Sequence, residues 1–215
     1  MKRLRILLGD DHPMLLKGIR SLLEGHHEVV GTEENGRALV EAALRLKPDL
    51  VILDVSMPIL NGIDAAREIR KAHPAIQLVF LTMQTNAIYL RKALAAGASG
   101  YLLKSGAAEE LLTCIEEVRK GRIHVTPGFG QDLFESVRDG RIDGARSPVE
   151  LTSRQRQILQ LLAEGKQNKD IAEIVHVSVR TVEFHRSRLM TRLGVHSLAE
   201  LTRFAMQEGL IDGQQ

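Results

Sequence analysis

The 215-residue chain has few aromatic residues, a single cysteine and almost no net charge. Aromatic residues make up 3% of it, and tryptophan is absent. The lone cysteine, Cys114, excludes an internal disulfide framework and fits a reducing cytoplasm. A formal net charge of +2 excludes a strongly basic field over the whole chain. No apolar run approaches the ~20 residues of a membrane span, so we expect a soluble cytoplasmic protein without a membrane partner.

The first half of the chain instead shows short apolar runs, each followed by an amphipathic helical pattern. The runs are RILLG, EVVGTE, DLVILDV, IQLVFLTM and SGYLLKS. Strands that alternate with helices in this way form a parallel sheet covered on both faces. The pattern therefore predicts an α/β domain with a five-stranded doubly wound parallel sheet. The connections of such a sheet are right-handed, so the carboxyl ends of all its strands meet at one edge.

The pattern changes after residue 122. Residues 123–147 are rich in Gly, Asp and Arg, which predicts a linker with one short helix around QDLFESV. From residue 148 to residue 215 helical patterns return without strands, and there are four of them. We therefore predict three parts: an α/β domain (1–122), a linker (123–147) and a smaller all-α domain of four helices (148–215).

Polar side chains stand at the carboxyl ends of four predicted strands. Asp10 and Asp11 end the first strand, Asp54 the third, Thr82 the fourth and Lys104 the fifth. A single strand-end aspartate is most often a helix cap or a turn residue, but such a set at one edge argues for a binding site. Clustered carboxylates attract a hard divalent cation such as Mg²⁺. A cation and a lysine would stabilise a phosphoryl group passing to an oxygen nucleophile, for which Asp54 is the central candidate.

Two stretches of the sequence resemble known families. GDDHPM, ILDVSMPILNG, LTM and GYLLKS together resemble the flavodoxin-like receiver domain of two-component response regulators. The stretch from LTSRQRQILQLLAEGKQNKDIAEIV to HVSVRTVEFHRSRLMTRLGVHS resembles the LuxR-type helix-turn-helix. The two in this order resemble the NarL/FixJ subfamily of response regulators.

The resemblance implies a role for each residue of the acidic edge. Asp54 would accept a phosphoryl group from a sensor histidine kinase. The Mg²⁺ ligands would be Asp54, Asp11 directly, Asp10 through a water, and Ser56 through its backbone carbonyl.

The resemblance also implies a conformational switch. Thr82 and Lys104 would contact the phosphoryl oxygens, and the Tyr101 ring would reorient when Thr82 moves. Without the family, Tyr101 reads as a half-buried strand tyrosine.

The segment NKDIAEIVHVSVRTVEFHRSRLM predicts a helix, a turn and a second helix. Ser178 is a plausible N-cap of the second helix, and Val182, Leu189 and Met190 recur at the spacing of its core face. The opposite face suits a recognition helix in a DNA major groove. The candidate DNA-binding residues are Lys169, Arg180, Thr181, Glu183, Phe184, His185, Ser187, Arg188 and Arg192. Many relatives carry lysine where this chain has Glu183, and a carboxylate there can accept a hydrogen bond from cytosine N4.

The last helical pattern carries Leu198, Leu201 and Ala205 on one stripe. Such a stripe either packs inside its own small domain or pairs two copies. In relatives this helix forms the dimer contact, so the resemblance implies a homodimer on inverted half-sites about one helical turn apart.

These features favour a phosphorylation-controlled, DNA-binding transcription regulator over an enzyme. Its only chemistry would be Mg²⁺-dependent self-phosphorylation from a phosphodonor and slow self-dephosphorylation. Its expected partners are a histidine kinase and double-stranded DNA, with RNA polymerase a further candidate. A phosphatase of the haloacid dehalogenase type needs a second aspartate where Ser56 stands, and LGDDHP lacks the glycines of a dinucleotide site. One alternative stays open, a phosphorylation-independent regulator whose receiver is a dimerisation scaffold.

Overall fold

The computed structural model describes residues 3–127 and 151–211, and the chain divides into two compact units. The short helix predicted around residues 131–137 lies outside the described residues. No helix in the described part of the chain is long and apolar enough to cross a membrane.

The first unit alternates strands and helices around one sheet. Its elements are β1 (Arg5–Gly9), α1 (Pro13–Glu24), β2 (Glu28–Glu33), α2 (Gly36–Leu46), β3 (Leu50–Leu53), α3 (Gly62–Ala72), β4 (Gln77–Thr82), α4 (Ala87–Ala95), β5 (Gly100–Leu103), a 3₁₀ turn (Lys104–Gly106), α5 (Ala107–Arg119) and β6 (His124–Val125). The strand order is β2-β1-β3-β4-β5-β6, and every neighbouring pair is parallel. The predicted doubly wound parallel sheet is confirmed.

The sheet has a sixth strand that the sequence did not predict. β6 pairs with β5 through Gly100 opposite His124 and Tyr101 opposite Val125. The N–H of His124 donates to the carbonyl of Ser99 at 3.1 Å. The predicted count of five strands was one too few, because two residues are too short a run to show a period-2 pattern. The open edge of β5 supplies the partners that make them a strand.

The core of the first unit lies around the central strands. All four residues of β3 are buried, as expected for a strand with helices on both faces. α1 begins with the predicted Pro13 in its first turn and turns Leu16, Ile19 and Leu23 to the core. The Asn35 side chain caps α2 by accepting a hydrogen bond from the N–H of Ala38.

The second unit is a bundle of four helices. They are α6 (Ser153–Ala163), α7 (Asn168–Ile174), α8 (Val179–Leu193) and α9 (Leu198–Gln207). Ser178 caps α8 as predicted, and Gly194 ends that helix in the left-handed conformation at φ 65°. Val182 and Leu189 are buried in the core of this unit, and Met190 packs against it. The predicted helix, turn and helix are therefore present as α7 and α8.

Candidate functional site

The carboxyl ends of β1, β3 and β5 bring an aspartate pair and a lysine into contact. The Nζ atom of Lys104 lies 2.6 Å from Oδ2 of Asp54 and 2.8 Å from Oδ2 of Asp10. All three side chains are at least 92% buried, with exposed fractions of 8%, 5% and 3% for Lys104, Asp54 and Asp10. Lys104 directly follows β5, Asp10 directly follows β1, and Asp54 directly follows β3. The parallel sheet therefore unites residues that are 94 positions apart in the chain.

Burial and charge act in opposite directions on these groups. Burial raises the pKa of Asp54 to about 6, and the nearby Asp10 carboxylate raises it too, while Lys104 partly opposes both. For Lys104, burial favours the neutral amine, but the carboxylates of Asp54 and Asp10 outweigh it and raise the pKa. Lys104 is therefore an ammonium at neutral pH, and Asp54 is largely ionised there.

The carboxylates at this edge fit a divalent cation. Ligand atoms of Asp10, Asp11, His12 and Asp54 all lie within 4.8 Å of one another. Oδ1 of Asp54 is buried, and within the described residues no donor forms a hydrogen bond of regular geometry with it. Three carboxylates against the single ammonium of Lys104 leave two negative charges, which a dication balances. The donor set is rich in hard oxygen atoms, the ligands that Mg²⁺ prefers.

His12 belongs to the same cluster, although the sequence did not single it out. The backbone N–H of His12 donates to Oδ1 of Asp10 at 2.9 Å. Its Nδ1 atom lies 3.0 Å from Oδ1 of Asp10 and 2.8 Å from Oδ1 of Asp11. The imidazole thus bridges both carboxylates at the start of α1. Its place directly after two aspartates was the signal that could have identified it.

Gly62 fits closely under the loop that carries Asp54. Its N–H donates to the carbonyl of Val55 at 2.8 Å. A Cβ atom at this position would lie 1.8 Å from the backbone oxygen of Asp54, far inside van der Waals contact. Only glycine allows α3 to begin here without moving the Asp54 backbone.

The predicted switch residues are adjacent in the sheet. Thr82 is fully buried at the end of β4, and its Oγ1 accepts a hydrogen bond from the N–H of Gln84 at 3.2 Å. Tyr101 is also fully buried, and its hydroxyl donates to the carbonyl of Gln84 at 3.0 Å. Thr82 and Tyr101 therefore contact the same short loop after β4. Their movement on phosphorylation stays a prediction.

Ser56 lies in the loop after β3, two residues beyond Asp54, and is partly exposed. The role predicted for its carbonyl as a metal ligand stays a prediction.

The second unit presents the exposed face of α8. Arg180, Glu183, Phe184, Ser187 and Arg188 are exposed along it. The Arg188 guanidinium carbon lies 5.5 Å from the centre of the Phe184 ring, one helical turn earlier, in a cation–π contact. Thr181 and His185 are half-buried at the margin of this face.

The basic side chains of this unit are available for an anionic partner. Lys169 in α7 and Arg192 at the end of α8 are also exposed. Within residues 3–127 and 151–211, no carboxylate lies within ion-pair distance of Lys169, Arg180, Arg188 or Arg192. The face is therefore locally positive, apart from Glu183.

The predicted dimer stripe on α9 is mostly internal. Leu201 and Ala205 are fully buried in the core of their own unit, so naming them as dimer contacts was wrong. A bundle this small needs that apolar face to close its core. Leu198 is 43% exposed, and Met206, two turns further along the helix, is 40% exposed. The outer face of α9 thus carries two large apolar side chains.

Comparison with known families matches both units of the chain. Residues 6–116 match the response regulator receiver domain, and residues 149–205 match the bacterial regulatory proteins of the luxR family. The transcriptional regulatory protein MctR of Rhizobium johnstonii is 34% identical over 97% of this chain and 96% of its own length. The oxygen regulatory protein NreC of Staphylococcus aureus is 35% identical over 97% of this chain and all of its own.

Solved structures of RcsB are similar over both units. One of Salmonella typhimurium RcsB has a TM-score of 0.64 at 27% identity and covers 97% of this chain and 99% of that one. Two RcsB dimers bound to two parallel DNAs give a TM-score of 0.59 at 27% identity, covering 96% and 99%.

A doubly wound sheet with an acidic pocket, followed by a helix-turn-helix unit, defines a two-domain regulator. The chain belongs to the response regulators of the NarL/FixJ type, with a receiver domain and a LuxR-type DNA-binding domain. Its family is one of transcription regulators.

Proposed function

We propose that Asp54 accepts a phosphoryl group from a sensor histidine kinase and that this phosphorylation controls DNA binding and transcription. The observation that carries the proposal is the contact of Lys104 with Asp54 and Asp10, beside the unpartnered Oδ1 of Asp54. Oδ2 of the acceptor contacts the ammonium, while Oδ1 makes no hydrogen bond of regular geometry, although the Thr82 hydroxyl is close enough to lower the pKa of the carboxyl.

The chemistry is a transfer between two nucleophiles. Oδ1 of Asp54 attacks the phosphorus of a phosphohistidine on the kinase, so that an O–P bond forms while the N–P bond breaks. The electron pair of the broken bond stays on the imidazole nitrogen of the kinase. The ammonium of Lys104 and the hydroxyl of Thr82 compensate charge on the phosphoryl oxygens. Attack of water on the acyl phosphate later returns Asp54 and inorganic phosphate.

The acidic edge would hold a Mg²⁺ ion through the carboxylates of Asp10, Asp11 and Asp54, with the carbonyl of Ser56 as the further ligand. When bound, the ion neutralises the carboxylates and the phosphoryl oxygens, which lets three negative groups approach each other.

The exposed face of α8 would enter the major groove of double-stranded DNA. Arg180, Arg192 and Lys169 would contact phosphates, while Glu183, Phe184, Ser187 and Arg188 would face the base edges. The exposed Leu198 and Met206 would pair two copies through α9, so operators would consist of inverted half-sites. Control of transcription then makes RNA polymerase a further partner.

Intact-mass measurement with a small phosphodonor tests the phosphoacceptor. With acetyl phosphate and Mg²⁺, we expect one added phosphoryl group on the wild type and none on Asp54→Asn. Glu34→Gln, which changes an exposed carboxylate of the same domain to an amide, is the control and should match the wild type. Equal uptake by Asp54→Asn would show that the acceptor lies elsewhere.

Operator titration tests the control of DNA binding. An operator selected from random duplexes is titrated with the unphosphorylated chain, the phosphorylated chain and Asp54→Asn treated with the phosphodonor. We expect the phosphorylated wild type to bind more tightly than the other two. Equal affinity of all three would favour the alternative in which the receiver is a dimerisation scaffold.

A further inference from the structure

Thr126 connects three parts of the receiver domain. It is the first residue after β6, and only 8% of it is exposed. Its hydroxyl accepts a hydrogen bond from the N–H of Leu103 at 3.1 Å and donates one to Oε2 of Glu110 at 2.8 Å. Its own N–H donates to the carbonyl of Tyr101 at 3.0 Å. One residue thus joins the end of β5, the helix α5 and the chain that leaves the sheet.

The hydroxyl replaces a backbone partner at the edge of the sheet. Leu103 is the last residue of β5, and on its inner side it pairs with Thr82 of β4. On its outer side β6 ends at Val125, so the strand ladder stops before the N–H of Leu103. The Thr126 hydroxyl supplies the missing acceptor. It donates its own hydrogen bond to the Glu110 carboxylate and accepts the one from the N–H of Leu103.

Lys104 depends on this arrangement because it directly follows Leu103. Its ammonium spans the 2.6 Å and 2.8 Å contacts to Asp54 and Asp10, and a 3₁₀ turn begins at its backbone. The last backbone hydrogen bond before that turn, on the outer side of β5, is the one that Thr126 accepts.

We propose that Thr126 is a positioning residue of the phosphoacceptor site, which holds the end of β5, and with it Lys104, where the ammonium meets Asp54. The inference rests on the proposed function of Asp54 and extends the site to a residue 22 positions after Lys104. Residues 128–150 connect Thr126 to the DNA-binding domain.

Three threonine variants separate positioning from general stability. Thr126→Val keeps the shape of the side chain and removes both hydroxyl hydrogen bonds. Thr126→Ser keeps both. Thr113→Val makes the same chemical change at an exposed position of α5 and is the matched control. For each full-length variant, the measurements are hydrogen exchange of the Leu103 amide, the rate of phosphorylation by acetyl phosphate with Mg²⁺ over a range of phosphodonor concentrations, and thermal unfolding.

We expect Thr126→Val to speed exchange at Leu103 and to lower the maximal phosphorylation rate by about tenfold, because a misplacement of about 1 Å at a reacting centre can cost about 10²-fold and a loosened strand end moves Lys104 by less than that. Thr126→Ser and Thr113→Val should keep the wild-type rate. A merely structural role would lower the unfolding temperature but leave the rate of the folded protein unchanged. Folded Thr126→Val with the wild-type rate therefore overturns the proposal.

A second variant covers the case in which Thr126→Val does not fold. Glu110→Ala removes the acceptor of the hydroxyl proton and lets the hydroxyl turn away from Leu103. It should lower the phosphorylation rate in the same direction, and an unchanged rate in folded Glu110→Ala also overturns the proposal. If the wild type itself takes up no phosphoryl group, the proposed function fails. If the wild type reacts and the variants match it, only the role of Thr126 fails.

Discussion

Replacing Asp54 by asparagine is expected to stabilise the receiver domain at neutral pH, although it removes a contact with Lys104. The folded protein holds this carboxyl in a buried site beside Asp10, and burial raises its pKa from 3.8 to about 6. In the unfolded chain the group ionises at its ordinary pKa. Ionisation therefore costs free energy in the folded state, and an amide at the same position avoids that cost.

The sign and the size follow from proton linkage. Between pH 3.8 and about 6 the folded state binds more protons at Asp54 than the unfolded state does, so the free energy of unfolding falls as pH rises through this window. Each pKa unit corresponds to about 1.4 kcal/mol. The raised pKa of Asp54 therefore lowers the free energy of unfolding by about 3 kcal/mol at pH 7 and by well under 1 kcal/mol at pH 4. Asp54→Asn should therefore be more stable than the wild type by about 3 kcal/mol at pH 7, and the difference should disappear towards pH 4.

Tyrosine fluorescence during urea unfolding measures this difference. The chain has no tryptophan, and its two tyrosines, Tyr89 and Tyr101, both lie in the receiver domain, so their signal reports that domain alone. Asp54→Asn and wild type are compared at pH 7 and pH 4, with Glu34→Gln as the exposed control that should show no change. A variant that is no more stable than the wild type at pH 7 would refute the reasoning that burial dominates the energy of this carboxyl.

Four further substitutions are expected to affect different parts of the protein. Gly62→Ala should abolish phosphorylation by the small phosphodonor, because the added Cβ would lie 1.8 Å from a backbone oxygen of the phosphoacceptor loop; a wild-type rate would contradict the close fit. Leu201→Glu should unfold the DNA-binding domain, whereas Leu198→Glu should leave its circular dichroism unchanged and weaken dimers in sedimentation. Arg188→Lys should weaken the preference of the protein for guanine at one operator position by about 1–3 kcal/mol. Lysine lacks the planar group that stacks on Phe184 and the paired donors that guanine accepts. A uniform loss over all sequences would instead assign Arg188 to phosphate contact.

The order of strands and helices, the two units and the polar residues at the strand ends were readable from the sequence. Local periodicity carries that information, since a strand with helices on both faces is apolar throughout and a surface helix repeats every 3.6 residues. Right-handed parallel connections then place Asp10, Asp54 and Lys104 at one edge without any coordinates. Ser178 could be identified as a cap because its chemistry is local to the start of α8.

Tertiary structure alone decided the features that depend on residues far apart in the chain. β6 is a strand because the backbone groups at the edge of β5 pair with it. Because β6 ends at Val125, the N–H of Leu103 has no strand partner and donates to the Thr126 hydroxyl instead. A stripe of apolar residues looks the same whether it closes a core or pairs two copies, and only burial assigned Leu201 and Ala205 to the core. The free Oδ1 of Asp54 is likewise a property of packing, because whether an atom has a partner depends on every chain segment folded around it.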